Sequence, residues 1–161
     1  MYYRYLPSPI GRIRLSGREG VVTGLHLADH PRCPPPDPGA VPDDAALEKA
    51  AEQLGEYFEG DRTTFDLELE LAGTPFQVEV WSALRRVPYG ETTSYAAIAD
   101  DIGRPAAVRA VGAANGRNPI SIIVPCHRII GADGSLTGYG WGVDRKAWLL
   151  DFEQRAGRLQ L

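Results

Sequence analysis

The chemistry in this chain is concentrated where Cys126 and His127 close the run Ile120-Ser121-Ile122-Ile123-Val124-Pro125. A thiol attacks as its thiolate, and its ordinary pKa near ~8.5 leaves it mostly protonated unless a base or a cation helps. His127 follows directly. Neighbours on extended backbone face opposite sides, so the two would communicate around a bend or through a water. Glu153, near the end of the last helix, could orient the imidazole and complete a Cys-His-Glu relay. The alternative for each residue is plain: a buried inert cysteine, a surface histidine, a solvated glutamate. The proline brackets at 119 and 125 favour the reactive reading, with an exposed, ionisable sulfur held at a rigid strand end.

Those residues need elements to position them. Ile120 to Val124 is short and apolar, and prolines bound it, so it reads as a buried strand that Pro125 stops. Asn115-Gly116-Arg117-Asn118-Pro119 is a turn-rich loop entering it, whose asparagines can bond to neighbouring backbone. Thr74-Pro75-Phe76-Gln77 carries three helix-start signals, with Phe76, Val80, Trp81, Leu84 and Val87 as the apolar stripe. Two short helices follow. The first is capped by Thr93 or Ser94 and stopped at Gly103; the second opens at Pro105 and runs to about Ala114. Their tight junction fits a helix-turn-helix, and also an ordinary two-helix turn. In the second helix Val108 and Val111 can face the core. Ala106, Ala110 and Ala113 make a face of small side chains beside Arg109. Gly131 to Gly134 reads as a hairpin turn, and the loop Thr137 to Gly142 holds Tyr139, Gly140 and Trp141 as a candidate pocket wall. Asp144 is the expected cap of the last helix.

The first half reads as scaffold. Gly11 to Ser16 and Val21 to Leu27 are strands around a Gly17–Gly20 turn, and residues 31–42 hold six prolines in a surface loop. Asp43 or Asp44 caps a helix through Leu47, Leu54 and Tyr57 that ends at Glu59-Gly60, and Phe65 to Leu71 alternates like a half-buried strand. Ala72-Gly73 marks the expected boundary between domains 1–72 and 73–161.

A chain of 161 residues with 43% apolar and 24% charged side chains can bury a real core, and no apolar run approaches a membrane span. With no apolar leader at its start, it reads as cytoplasmic. The net charge of −4 divides unevenly: residues 1–72 carry 7 basic and 13 acidic groups, residues 73–161 carry 10 and 8. Nine of those ten basic residues are arginine. Only the second half is a plausible nucleic-acid partner. Two cysteines, 33 and 126, in a reducing compartment argue against a disulfide. His26, His30 and Cys33 lack an obvious fourth ligand for a metal.

Pro125-Cys126-His127-Arg128, preceded by Asn118-Pro119 and the Pro105–Gly112 helix, resembles the O6-alkylguanine-DNA alkyltransferases, most densely over residues 74–155. The resemblance implies an α+β fold. Its first domain is an antiparallel, ribonuclease H-like β-sheet with a helix, and its second is helical with a winged helix-turn-helix. It implies single-turnover repair of double-stranded DNA containing O6-alkylguanine. Cys126 would accept the alkyl group, His127 would take the thiol proton through a water, Glu153 would orient His127 and Asn118 would hold the loop. Tyr95 would give a proton to the base and help rotate it out. Arg109 would fill the gap left in the duplex, with Thr93, Ser94, Arg117, Arg128 and the three alanines against DNA. Val124, Pro125, Tyr139, Gly140 and Trp141 would line the base pocket. Trp141 departs from the glycine that many members carry, which implies a narrower pocket. The zinc ligands of vertebrate members are unmatched, so no metal and no cofactor are expected, and the protein is expected to be a monomer. A non-catalytic binder of alkylated DNA and a Cys-His-Glu hydrolase are the alternatives.

Overall fold

The computed structural model describes residues 1–159, with side chains through Arg155, as two compact units, one ending at Leu71 and the next beginning at Ala72. The first unit is built on a five-stranded sheet in the order β4-β1-β2-β3-β5. Its centre is an antiparallel meander of β1 (Tyr2–Leu6), β2 (Ile13–Arg18) and β3 (Val21–Leu27). The expected antiparallel sheet is in fact mixed: β4 (Val41–Pro42) and β5 (Glu68–Leu69) each add a two-residue parallel pair at an edge. A parallel neighbour needs a long crossover, and the proline-rich segment and a helix provide the two. Ile13 pairs with Leu27 and Leu15 with Leu25, and all four are buried.

Helix α1 (Glu48–Phe58) buries Ala50, Leu54 and Tyr57. Its cap differs from expectation. Leu47 precedes it at φ 57°, without a side-chain cap. Asp43 instead closes a turn upstream, its Oδ1 accepting from Ala45 N at 2.9 Å. Gly60 ends the helix with φ 83°. The alternation over residues 65–71 holds in burial, but only Glu68 and Leu69 join the ladder. The chain before them is held by Gln53, whose amide donates to Asp66 O at 3.2 Å and accepts from Asp66 N at 2.9 Å.

The second unit packs α2 (Pro75–Leu84), α3 (Tyr95–Asp101), α4 (Val108–Gly116) and α5 (Val143–Leu159). Thr74 and Gln77 form the full capping box of α2, and Trp81 donates its indole N–H to Ala114 O at 2.8 Å. Ser94 caps α3 by accepting from Ala97 N at 3.0 Å. Gly103 turns the chain at φ 75°, but Pro105 and Ala106 lie in a turn and α4 begins only at Val108. Val111 is fully buried while Val108 is exposed, so Val108 leaves the core side it was expected to join. Beside the helix pair, β6 (Thr93–Ser94) runs parallel to β7 (Ile129–Ile130). Residues 131–135 do turn tightly, but no hairpin flanks them. Helix α5 begins at Val143, so Asp144 sits in its first turn, where its charge suits the helix dipole. No described helix is long and apolar enough to cross a membrane.

Candidate active site

The segment leading to Cys126 is not a strand. Ile120 to Val124 folds back on itself: Val124 N donates to Ile120 O at 2.9 Å, and Ile122 takes a left-handed φ of 73°. β-branched residues rarely adopt that conformation, so the surroundings must enforce it. Asn118 does so with both ends of its amide. Its Nδ2 donates to Val124 O at 2.7 Å, and its Oδ1 accepts from Ile120 N at 3.0 Å. The buried Asn115 adds a longer contact, Nδ2 to Cys126 O at 3.4 Å. Two asparagine side chains thus do the work of missing ladder partners. Pro125 then leads into one turn of 3-10 helix, Cys126–Arg128.

The sulfur is not exposed as expected. Cys126 is only 4% accessible. Burial pushes its thiol pKa up, against the opposing pull of Asn118, Ser121, Tyr139 and the Lys146 charge. The resting group is therefore the neutral thiol, and a reacting atom must be brought to it inside a pocket.

Behind the cysteine lies a buried charge cluster. His127 is fully buried, and its Nε2 meets Glu153 Oε2 at 2.7 Å. Arg128 donates from Nε to Glu153 Oε1 at 2.9 Å and from Nη2 to Oε2 at 3.1 Å, while its Nη1 donates to Val87 O at 2.8 Å. Burial alone would raise the Glu153 pKa, but His127 and Arg128 together hold it at about 2. His127 Nδ1 is buried without a hydrogen-bond partner among the described residues. With Nε2 committed to the carboxylate, Nδ1 is the nitrogen left to handle a proton. Arg128, expected against DNA, is 6% exposed and committed to Glu153, so that reading is overturned.

Lys146, Thr137 and Ser121 were missed by sequence reasoning. Lys146 is fully buried, with Nζ 3.4 Å from Thr137 O and 3.5 Å from its Oγ1. The hydroxyl of Tyr95 bonds to the same Oγ1 at 2.5 Å. A signal for Lys146 was present, since it is the only lysine among the ten basic residues of 73–161. Tyr139 and Trp141 pack edge-on with ring centroids 6.0 Å apart, and Trp141 is 8% exposed. The Tyr139 hydroxyl is buried; burial, then the neighbouring Cys126, push its phenol pKa well up. Gly140 between them is half-buried, and Val124 and Pro125 are buried beneath the thiol's turn.

The outer surface of α4 is as expected in one respect. Arg109, Ala110, Ala113 and Arg117 are all exposed, as is Ala106 in the preceding turn. Arg86 and Arg104 are paired with Asp101 and Glu79, whereas Arg109 and Arg117 pair with no described carboxylate. Thr93 and Ser94 are half-buried, with the Ser94 hydroxyl already used as a cap. Among the described residues no three His, Cys, Asp or Glu side chains gather as a metal site would need.

Residues 75–155 match the 6-O-methylguanine DNA methyltransferase DNA-binding domain, and residues 1–71 match the ribonuclease-like domain of the same proteins. The chain belongs to this methyltransferase family. A methylated-DNA–protein-cysteine methyltransferase of Mycolicibacterium paratuberculosis is 54% identical to it, over 95% of this chain and 92% of the relative. One from Methanosarcina acetivorans is 49% identical over 95% and 98%. The crystal structure of Mycobacterium tuberculosis OGT in complex with DNA matches at a TM-score of 0.91 and 51% identity, covering 97% of this chain and 94% of that one. Membership in the methyltransferase family agrees with an enclosed thiol beside a His-Glu-Arg cluster.

Proposed function

We propose that this methyltransferase repairs DNA by moving the alkyl group of O6-alkylguanine to Cys126, once per molecule, as a cytoplasmic monomer. The carrying observation is the thiol at the end of the Asn118-braced turn, backed by His127, Glu153 and Arg128. A base stacked in a duplex cannot reach an enclosed sulfur, so the nucleotide must rotate out, at a cost of a few kcal/mol. His127 Nδ1 takes the thiol proton through a water. The sulfur attacks the alkyl carbon, the carbon–O6 bond breaks with its electron pair going to the base, and a thioether remains. Tyr95, bonded to Thr137, supplies a proton to the departing guanine. Residues 1–72 act as scaffold and residues 73–161 hold both the chemistry and the DNA surface. A silent lesion binder needs no buried nucleophile, and a hydrolase needs turnover. Mass measurement after mixing with methylated duplex decides: one methyl on the Cys126 peptide, saturating at one per protein, is expected. Unmodified protein bound to DNA, or repeated turnover of an ester, refutes the reading.

Arg109 pairs with no described carboxylate and stands on the small-residue surface, where an inserted side chain offsets part of the unstacking cost. Arg109→Ala is expected to slow repair of duplex DNA about tenfold while changing reaction with the free base far less. Equal slowing of both, in single-turnover assays, would remove its role in extrusion.

Trp141 is buried and packs edge-on against Tyr139, the phenol that neighbours Cys126. Trp141→Gly is expected to raise the ratio of benzyl to methyl transfer rates about tenfold, the scale on which pockets sort substrates by size. An unchanged ratio would show that Trp141 does not set pocket width.

A further inference from the structure

The first unit's sheet has a second face that the chemistry at Cys126 does not use. Arg14 on β2 pairs across the ladder with His26 on β3, and Ser16 pairs with Gly24. Residues two apart on a strand share a face, so these four lie together, opposite Ile13, Leu15, Leu25 and Leu27. Such a face is commonly left to water. Here the proline-rich segment covers it. A cavity of about 100 Å³ remains between Arg14, Ser16, Thr23, His26 and the chain at residues 34–37.

Arg14 makes this cavity more than a packing gap. It is 5% exposed. Its Nη2 donates to Pro34 O at 2.7 Å, which pins the covering segment. Its Nε is buried with no hydrogen-bond partner among the described residues, and so is His26 Nδ1. Arg4, Arg12, Arg18, Lys49 and Arg62 each meet a carboxylate; Arg14, the buried one, meets none among the described residues. Burying a cation without a counter-charge is costly, and so is leaving a buried donor unmade. Gly24 keeps the space open, since a Cβ there would stand 3.2 Å from His26 Cε1. Asp37 is the one carboxylate lining the cavity; it is exposed and beyond ion-pair distance of Arg14.

We infer that this cavity binds a small oxyanion, held by Arg14 Nε–H, His26 Nδ1–H and the Ser16 hydroxyl. Its volume of about 100 Å³ is room enough for a small free oxyanion. The charged groups facing His26 are Arg14 and Asp37, with the Tyr3 phenol beside them. Burial, then the Arg14 charge, hold the imidazole pKa down, and Asp37 pulls it the other way. An anion here would raise it.

Inorganic phosphate is the probe, and the His26 ring-proton resonance of the full chain is the readout. Titration at constant ionic strength is expected to give a saturable shift and a higher His26 titration midpoint, neither reproduced by chloride. Arg14→Met removes the charge, and Gly24→Ala fills the space while keeping Arg14; both are expected to abolish saturation. Arg12→Met, in an exposed ion pair, is expected to preserve it. If Arg14→Met does not fold, Gly24→Ala decides alone. Unmodified duplex DNA in place of phosphate is expected to leave the resonance unmoved. A non-saturating shift, an equal response to chloride, saturation surviving in Gly24→Ala, or the same shift from DNA overturns the inference. Because the readout is His26 in the first unit and the chemistry is assigned to Cys126 in the second, its failure leaves the repair reading untouched.

Discussion

Cys126→Ser is expected to reduce alkyl transfer by more than about a thousandfold while leaving DNA affinity within about twofold. Serine preserves the shape of a fully packed position, so the Asn118-braced turn and the exposed surface of α4 should persist. What changes is acidity and nucleophilicity. Burial already pushes the thiol pKa up, and a hydroxyl in the same enclosed site would be far harder to ionise. The assay is a single-turnover reaction with methylated duplex, read by mass, beside a binding titration. Cys33 is the internal control. It is a free, half-buried thiol in the other unit. Full methylation of the Cys126→Ser protein, on Cys33 or elsewhere, would place the acceptor outside the site described. Loss of DNA binding together with transfer would mean that the variant had lost its fold.

Why some of this could be read from residue order, and some not, follows from what periodicity measures. The capping box at Thr74 and Gln77 is a contact between residues three apart, so it is visible locally and forms as expected. The run Ile120 to Val124 correctly signals burial, because apolar β-branched residues avoid water. It does not reveal that the backbone turns back, because the groups imposing that turn are the asparagine amides at 115 and 118. Arg128 is placed against DNA by the family resemblance, not by a pattern in its own neighbourhood. Its direction is fixed by a carboxylate 25 residues later, and no local pattern encodes that pairing. Likewise β1 was not anticipated, since Tyr2 to Leu6 shows no clean alternation and becomes a strand by pairing with β2. The exposure of Cys126 was inferred from the need for reactivity. The fold meets that need differently, enclosing the sulfur and surrounding it with polar groups.

Glu153→Gln should damage both stability and rate, and the two effects can be separated. Glu153 is 1% exposed and accepts from His127 and from two nitrogens of Arg128. Glutamine keeps the shape but removes the charge, leaving the Arg128 guanidinium buried without its partner. Breaking a buried pair in this way costs about 3–5 kcal/mol, a large share of an ordinary domain's ~5–15 kcal/mol. At roughly 2–4 °C per kcal/mol for a chain of this size, Tm should fall by about 10 °C. The wild-type pH dependence has a definite sign. The carboxyl pKa is depressed to about 2 in the folded state, below its unfolded value of 4.5. Its stabilisation is therefore complete above that unfolded value and lost as pH falls toward 2. Glu153→Gln should flatten this part of the stability curve. For the rate, transfer is measured at a temperature where the variant stays folded. An imidazole no longer oriented by the carboxylate assists the thiol less, so the rate should rise more steeply with pH, following unassisted ionisation of the sulfur. A variant as stable as wild type with an unchanged pH–rate profile would contradict the assigned role. Lower stability with an unaltered profile would confine Glu153 to holding Arg128 in place.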